Sequence, residues 1–310
     1  LHLSLRRQRQ MCIRDSGAPV CSDVVLREGD LIQFADIAFR ICQETVDLQR
    51  HATVSSTGVC DLAFSLMQFD RLMDREAVIP YFQPLVTLPT RKTIGYEVLG
   101  RSNLYGLETP KDMFLAASQL NLEAELSRLF RMHGIANSRG FPETLNLFVN
   151  THPIEVVDSG LLESLRELRQ LFPKPLITLE IHESAVTDQK QMAELRVALD
   201  VLNMQLAYDD FGAGQSRLSE LVTVRPDYLK FDMHMIRDID KAPAPNQRML
   251  KGLVDIALDL EIVPLAEGIE TEGEHETCCQ IGFQMAQGYF YGRPVSARSV
   301  EQESWNQILV

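Results

Sequence analysis

From residue 80 onward the chain alternates short apolar runs with helical patterns, and that alternation limits its fold more than any other feature of its 310 residues. Candidate strands lie at 81–88, 93–99, 145–150, 176–181, 205–209, 228–231, 262–266 and 285–289. Helical spacing of apolar residues fills 111–120, 122–139, 160–171, 189–202, 216–222, 247–260 and 272–281. Eight strands with interleaved helices predict an α/β fold, a modified (β/α)8 TIM-like barrel, with an open doubly wound sheet as the alternative. The connection Pro89-Thr90-Arg91-Lys92 is too short for a crossover helix. Strands one and two are therefore expected to form an antiparallel hairpin.

The strand ends carry the chemistry. Strand two is expected to end at Glu97, three at Asn150, four at Glu180, five at Asp209 and Asp210, six at Lys230 and Asp232, seven at Glu267 and eight at Gln287. Taken singly, each reads as a cap or a solvated turn. Seven consecutive strands ending this way exceed what capping explains, because caps take Ser, Thr and Gly as well. In a barrel these ends converge on the rim that carries active sites. The adjacent carboxylates of Asp209 and Asp210 stand where a buried strand runs into Phe211-Gly212-Ala213-Gly214. A solvated turn could offset their repulsion; beside a buried strand a divalent cation is the stronger candidate. His182 is read as lying on the face of its strand opposite Glu180, and the other six histidines are scattered. The oxygen-rich donor set then favours magnesium or manganese over catalytic zinc. Two such ions clamp the attacking and leaving oxygens of an in-line phosphoryl displacement. Lys230 could orient or deprotonate a metal-bound water, and Arg101 could meet a phosphate oxygen as a fork. The residues alone thus lead to metal-assisted phosphodiester hydrolysis. A sugar-phosphate enzyme using one metal would show a Gly-rich phosphate loop after strand seven or eight, and Gln287-Gly288-Tyr289 matches that poorly.

Composition narrows the partners. A formal net charge of -13 disfavours polymeric nucleic acid and anionic membrane surfaces. The sequence contains no apolar run long enough to cross a bilayer. Its six cysteines fall in no zinc-like spacing, so reduced thiols and a cytoplasmic location are expected.

The first stretch reads differently from the rest. Residues 1–16 resemble a translated sequencing-adapter read-through and are expected to be disordered, with the natural protein longer at this end. Residues 17–43 place short strands around Arg27-Glu28-Gly29-Asp30, at 24–26, 31–34 and 38–41. This stretch is similar to the last strands of a forkhead-associated domain, whose phosphothreonine-binding loops would lie upstream. A phosphoprotein partner is expected only if such a domain is complete. Residues 44–60 read as a linker and 61–75 as a helix that opens a unit spanning 61–310.

Residues 80–294 closely resemble an EAL domain, the bacterial cyclic di-GMP phosphodiesterase. The resemblance rests on Tyr81-Phe82-Gln83-Pro84-Leu85-Val86, Glu97-Val98-Leu99-Gly100-Arg101, Phe148-Val149-Asn150 and Glu180-Ile181-His182-Glu183-Ser184. It continues through Asp209-Asp210-Phe211-Gly212-Ala213-Gly214, Tyr228-Leu229-Lys230-Phe231-Asp232, Ala266-Glu267-Gly268-Ile269-Glu270-Thr271, Gln287-Gly288-Tyr289 and Gly292-Arg293-Pro294. It implies hydrolysis of cyclic di-GMP to linear pGpG through two Mg2+ or Mn2+ ions, by in-line attack of a metal-bound hydroxide. It implies metal ligation by Glu97, Asn150, Glu180 and Asp209, with Asp210 on the second ion. Lys230 would act on the water, while Glu267 and Gln287 would complete the shell. Gln83, Arg101, Asp232 and Arg293 are the expected substrate contacts. Glu183 and Glu270 are the expected supports of the loop after strand five, through which a homodimer is implied. Val98, Ile181-His182 and Ala213-Gly214-Gln215 depart from the family pattern, yet no ligand position is lost. The competing reading within the family is a receptor that binds cyclic di-GMP with weak turnover or none.

Overall fold

A computed structural model describes residues 68–74, 77–88, 90–157, 160–185, 189–212 and 218–308, together with four short strands between residues 13 and 40. The expected strand at 24–26, the linker at 44–60 and the loop residues 213–217 lie outside the described residues. Two compact units are distinguished, Leu1–Ile79 with Arg101–Leu122, and Pro80–Gly100 with Glu123–Val310.

In the first unit, β1 (Ile13–Asp15), β2 (Ala18–Pro19), β3 (Leu31–Phe34) and β4 (Ile37–Arg40) form an antiparallel sheet in the order β2-β1-β3-β4. Residues 13–15, expected to be disordered, are instead paired with β3, Arg14 standing opposite Gln33. Ladder pairing needs only backbone donors and acceptors, so side-chain composition gave no sign of it. Residues 68–74 are helical (α1), and α2 (Pro110–Leu120) follows. Thr109 caps α2 by accepting from the Asp112 amide, and Asn121 ends it in the left-handed conformation.

The second unit is built on a closed eight-stranded ring of β5 (Ile79–Thr87), β6 (Thr93–Arg101), β7 (Asn146–Thr151), β8 (Leu176–His182), β9 (Gln205–Phe211), β10 (Tyr228–Phe231), β11 (Val263–Ala266) and β12 (Met285–Gln287). Each strand pairs with the next, and β12 closes on β5 with Ala286 opposite Val86, which excludes the open sheet. From β6 to β12 neighbours run parallel, while β12 and β5 run antiparallel, so β5 is the one reversed strand. Its hairpin to β6 closes through Thr87 N–H donating to Lys92 O at 3.0 Å, as the four-residue connection predicts. The connecting helices are α3 (Glu123–Asn137), α4 (Pro153–Val157), α5 (Gly160–Leu171), α6 (Gln189–Val201), α7 (Leu218–Thr223), α8 (Met233–Ile236), α9 (Ala244–Asp259) and α10 (Glu272–Ile281). After the ring, β13 (Val295–Ser296) pairs with β5, and α11 (Ala297–Ile308) follows. No helix among the described residues is long and apolar enough to cross a membrane.

Strand alternation sorts the core into two parts. Outward residues such as Val98, Val149, Leu179, Leu206, Leu229 and Ala266 pack with the helices. Inward residues Leu85, Phe148, Ala207, Leu265 and Met285 form a separate apolar plug inside the ring. Inward positions two residues away from that plug are 83, 150, 209, 267 and 287, so the period of two fixes which side chains reach the lumen. Glu97 lies in the middle of β6 rather than at its end, because the strand continues four residues further, to Arg101. Inside the ring Asn146 Nδ2 donates to Thr178 Oγ1 at 2.8 Å and to Gln205 Oε1 at 2.9 Å, linking three strands in a polar layer away from the site.

Gly95 stands opposite Asn146 across the β6–β7 ladder, and a Cβ there would come 2.3 Å from the Asn146 carbonyl oxygen. Only backbone movement relieves that contact. Gly95→Ala is therefore expected to lower the urea midpoint by about 1–3 kcal/mol of stability with an unchanged slope.

Candidate active site

The inward positions bring a lysine into a ring of acids. Lys230 is buried, and its Nζ lies 2.6 Å from Glu180 Oε1, 2.9 Å from Asp209 Oδ1 and 2.9 Å from Glu267 Oε1. Beside it, Glu97 accepts from Asn150 Nδ2 at 2.8 Å and from Gln287 Nε2 at 2.5 Å. Gln287 Nε2 also reaches Gln83 Oε1 at 3.1 Å, and Gln83 Nε2 donates to Gly292 O at 3.4 Å. Strands β5, β6, β7, β8, β9, β10 and β12, and the residue that follows β11, thus each supply a side chain to one connected cluster.

Asp209 and Asp210 both reach it through an irregularity. Tyr208 pairs with Leu229, but the next matched pair is Phe211 with Phe231, so two residues of β9 oppose Lys230 alone. Asp210 takes a left-handed φ of 57° in this bulge, and its N–H closes on Asp209 Oδ1 at 3.0 Å. Regular alternation would send one of the two carboxylates outward; the extra residue keeps both at the mouth. Asp209, Asp210 and Glu267 offer oxygens that all lie within 4.8 Å of one another.

His182 corrects the sequence reading. Residues two apart on a strand share a face, so His182 stands on the same side as Glu180, not opposite it. Its Nε2 lies 3.1 Å from Asp210 Oδ2, and it pairs in register with Asp209.

Five carboxylates, of Glu97, Glu180, Asp209, Asp210 and Glu267, share one ammonium. Burial, with like charge from Asp209, raises the Asp210 carboxyl above its usual range. Burial, with like charge from Glu97 and Asp209, outweighs Lys230 and raises Glu180 well above it. For Glu267 burial leads again, and its pKa rises to about 8. Burial alone would lower Lys230, but Asp209, Glu180, Glu267 and Glu97 outweigh it and hold the amine well above its ordinary value. Apart from the ion pair with Lys230, neither Glu180 oxygen has a hydrogen-bond donor among the described residues, and Gln287 Oε1 also has none. Excess negative charge and unsatisfied buried acceptors are what hard divalent cations neutralise, so the residues fit such ions.

A pH dependence follows for the metal-free protein. An acid whose folded pKa is raised contributes stability that is complete below its unfolded value and lost as pH rises through the folded one. For Glu267 that window runs from 4.5 to about 8. The urea midpoint of the metal-free protein is expected to fall between about pH 5 and about pH 8, and saturating divalent cation should flatten the slope.

The remaining predicted residues divide between the cavity lining and positions elsewhere. A cavity of about 280 Å³ is lined by Gln83, Glu97, Asp210, Asp232, Glu267 and Gln287, among others. Asp232 caps α8, accepting from the His234 amide at 2.7 Å, and its Oδ1 also contacts His234 Nδ1 at 2.6 Å. The Arg293 guanidinium stacks 4.2 Å over the Tyr289 ring. Glu183 accepts from the Gly212 amide at 3.3 Å, the position where the loop after β9 begins. Glu270 pairs with Arg237 at 2.6 Å on the surface. Arg101 ends β6, four residues beyond Glu97. Sequence reasoning missed Arg131, a buried arginine of α3 whose Nη1 donates to the Asn150 carbonyl at 3.3 Å. Its only signal is a charged residue among the apolar positions of a helix.

Residues 67–294 match the sequence pattern of the EAL domain. The chain belongs to the EAL domain family. Among curated relatives, the EAL chain is 28% identical over 233 residues to the cyclic di-GMP phosphodiesterase RocR of Pseudomonas aeruginosa, covering 73% of this chain and 59% of that protein. An uncharacterized protein of Azorhizobium caulinodans is 27% identical over 298 residues, covering 87% of this chain and 39% of that protein. The chain thus spans less than two thirds of the length of either relative. Among solved structures, the manganese/cy-diGMP complex of Klebsiella pneumoniae BlrP1 at pH 9.0 superposes with a TM-score of 0.62 at 28% identity, covering 71% of this chain and 57% of that one. The c-di-GMP complex of the PaMucR phosphodiesterase superposes with a TM-score of 0.69 at 24% identity, covering 76% and 99%, and supports the EAL fold.

Proposed function

We propose that this EAL barrel hydrolyses cyclic di-GMP to linear pGpG with the help of two divalent cations, magnesium or manganese. The observation that carries the reading is the excess of acid around Lys230, in a family whose relatives include a named cyclic di-GMP phosphodiesterase. A similar barrel has been solved with manganese and the same dinucleotide. Glu97, Asn150, Glu180 and Asp209 would hold one ion, Asp210 the other, and Glu267 and Gln287 would complete the shell. When bound, such ions supply Lewis acidity at the phosphoryl oxygens and lower the pKa of water.

The chain's own residues do the rest. Lys230, fixed by three carboxylates, donates toward the attacking water and orients it in line with the leaving oxygen. Water oxygen bonds to phosphorus, one ester oxygen leaves, and its proton count is restored from solvent. Gln287 and Asn150 lock the Glu97 carboxylate, so that its oxygens need no reorganisation. Gln83, Asp232, Arg101 and Arg293 would contact the dinucleotide, with the guanidinium groups meeting phosphate or base. Glu183 and Glu270 would support the loop after β9, and that segment would form a homodimer. A cytoplasmic location would go with such a substrate.

The test is product analysis with cyclic di-GMP, linear pGpG and a generic phosphodiester side by side, with magnesium or manganese and Glu97→Ala as control. Linear pGpG from cyclic di-GMP alone is the expected result. Tight binding without turnover would instead establish a receptor. Saturating cation should also raise the melting temperature of the metal-free protein, by about 2.7 kcal/mol of stability at a hundredfold excess over the dissociation constant.

A further inference from the structure

His182 is a nitrogen donor at the edge of an acidic cluster, next to Asp210. It projects from β8 on the same side as Glu180, and the register sets it opposite Asp209. Its Nε2 lies 3.1 Å from Asp210 Oδ2, and the imidazole is half-exposed at the mouth. Asp210 in turn belongs to the trio with Asp209 and Glu267 whose oxygens lie within 4.8 Å of one another. Neighbouring ligands in an octahedral shell, each about 2.1 Å from the ion, stand about 3 Å apart. The His182–Asp210 separation therefore suits two adjacent ligands of one ion without movement of either strand.

The geometry points to His182 as a further ligand of the ion held by Asp210, one that sets the metal preference of this site. This rests on the two-cation reading above. Imidazole suits first-row transition ions, whereas magnesium takes oxygen ligands and parts with its waters reluctantly. A mixed nitrogen and oxygen set at this position favours manganese and cobalt over magnesium. An all-oxygen set does not make that distinction.

The test needs the metal alone, not turnover. Manganese is loaded on the full chain, and nitrogen coupling to the ion is read by pulsed electron paramagnetic resonance; dissociation constants for manganese, cobalt and magnesium are measured by calorimetry. The chain is expected to show imidazole coupling that disappears in His182→Thr and His182→Gln. The manganese and cobalt constants should rise about tenfold or more, and the magnesium constant less than about threefold. His234→Ala should keep the coupling, which excludes the imidazole beside Asp232 as its source. Absence of coupling in the unmodified chain, or equal weakening of all three ions, would overturn the assignment. Cyclic di-GMP turnover is followed in parallel: turnover without coupling sinks the ligand alone. Coupling without turnover keeps the ligand and sinks the hydrolase.

Discussion

Asp209→Asn is expected to lower cyclic di-GMP hydrolysis by roughly 10²–10³-fold or more while the barrel stays folded. The substitution is almost isosteric. Asparagine Oδ1 can still accept from the Asp210 amide and from Lys230 Nζ, the two contacts Asp209 Oδ1 makes now. What disappears is one negative charge at the point where β8, β9 and β10 converge. Steady-state assays should show the loss chiefly in kcat, and calorimetry should show weaker cation binding. Thermal melting of the metal-free variant should be unchanged or higher, because one of five like charges around Lys230 has gone. A variant that melts lower and loses activity in proportion would mean that Asp209 serves the fold and not the chemistry.

Arg131→Met is expected to cost about 3–5 kcal/mol of stability, the largest loss anticipated for any single side chain outside the mouth. Arg131 and Glu155 are both buried and form a two-pronged pair, Nη1 to Oε1 at 2.9 Å and Nη2 to Oε2 at 2.5 Å. Ser127 Oγ at 3.0 Å and Ser164 Oγ at 3.3 Å accept from the same guanidinium. Removing the arginine leaves a carboxylate in the core with its main partner missing. The double variant Arg131→Met with Glu155→Leu should recover part of the loss, since no uncompensated charge remains. Urea unfolding of the two single variants and the double gives the coupling directly. Additive losses would show that the pair is not what holds α3 to α4. The Asn150 carbonyl also rests on Arg131 Nη1, so hydrolysis by the single variant should fall further than its stability alone accounts for.

The barrel was legible because two signals agreed: apolar runs of strand length, and an acid, amide or lysine expected to close seven of them. The hairpin of β5 and β6 followed from the length of one connection. The acids could be named from their order along the chain, but their mutual distances could not. His182 was misplaced by a slip of parity that the period of two corrects once the strand is seen to run on through it. The bulge at Asp210 was not legible, since it is a property of pairing between two strands and leaves no trace in either alone. Arg131 was hidden for a similar reason. Its partner lies 24 residues away on a helix of five residues that no periodicity reveals. The short strand Ile13–Asp15 was missed because backbone pairing can recruit almost any side chain.

The extra residue in β9 makes the site depend on chain length as much as on chemical identity. Deleting either aspartate would restore plain register and leave Phe211 opposite Phe231, whose ring it meets edge-on at 5.3 Å, but with a single carboxylate at the mouth. Anyone grafting this acidic doublet onto another parallel barrel must therefore carry the insertion with it. Two matching letters on a regular strand would deliver one carboxylate to the substrate and bury the other under a helix.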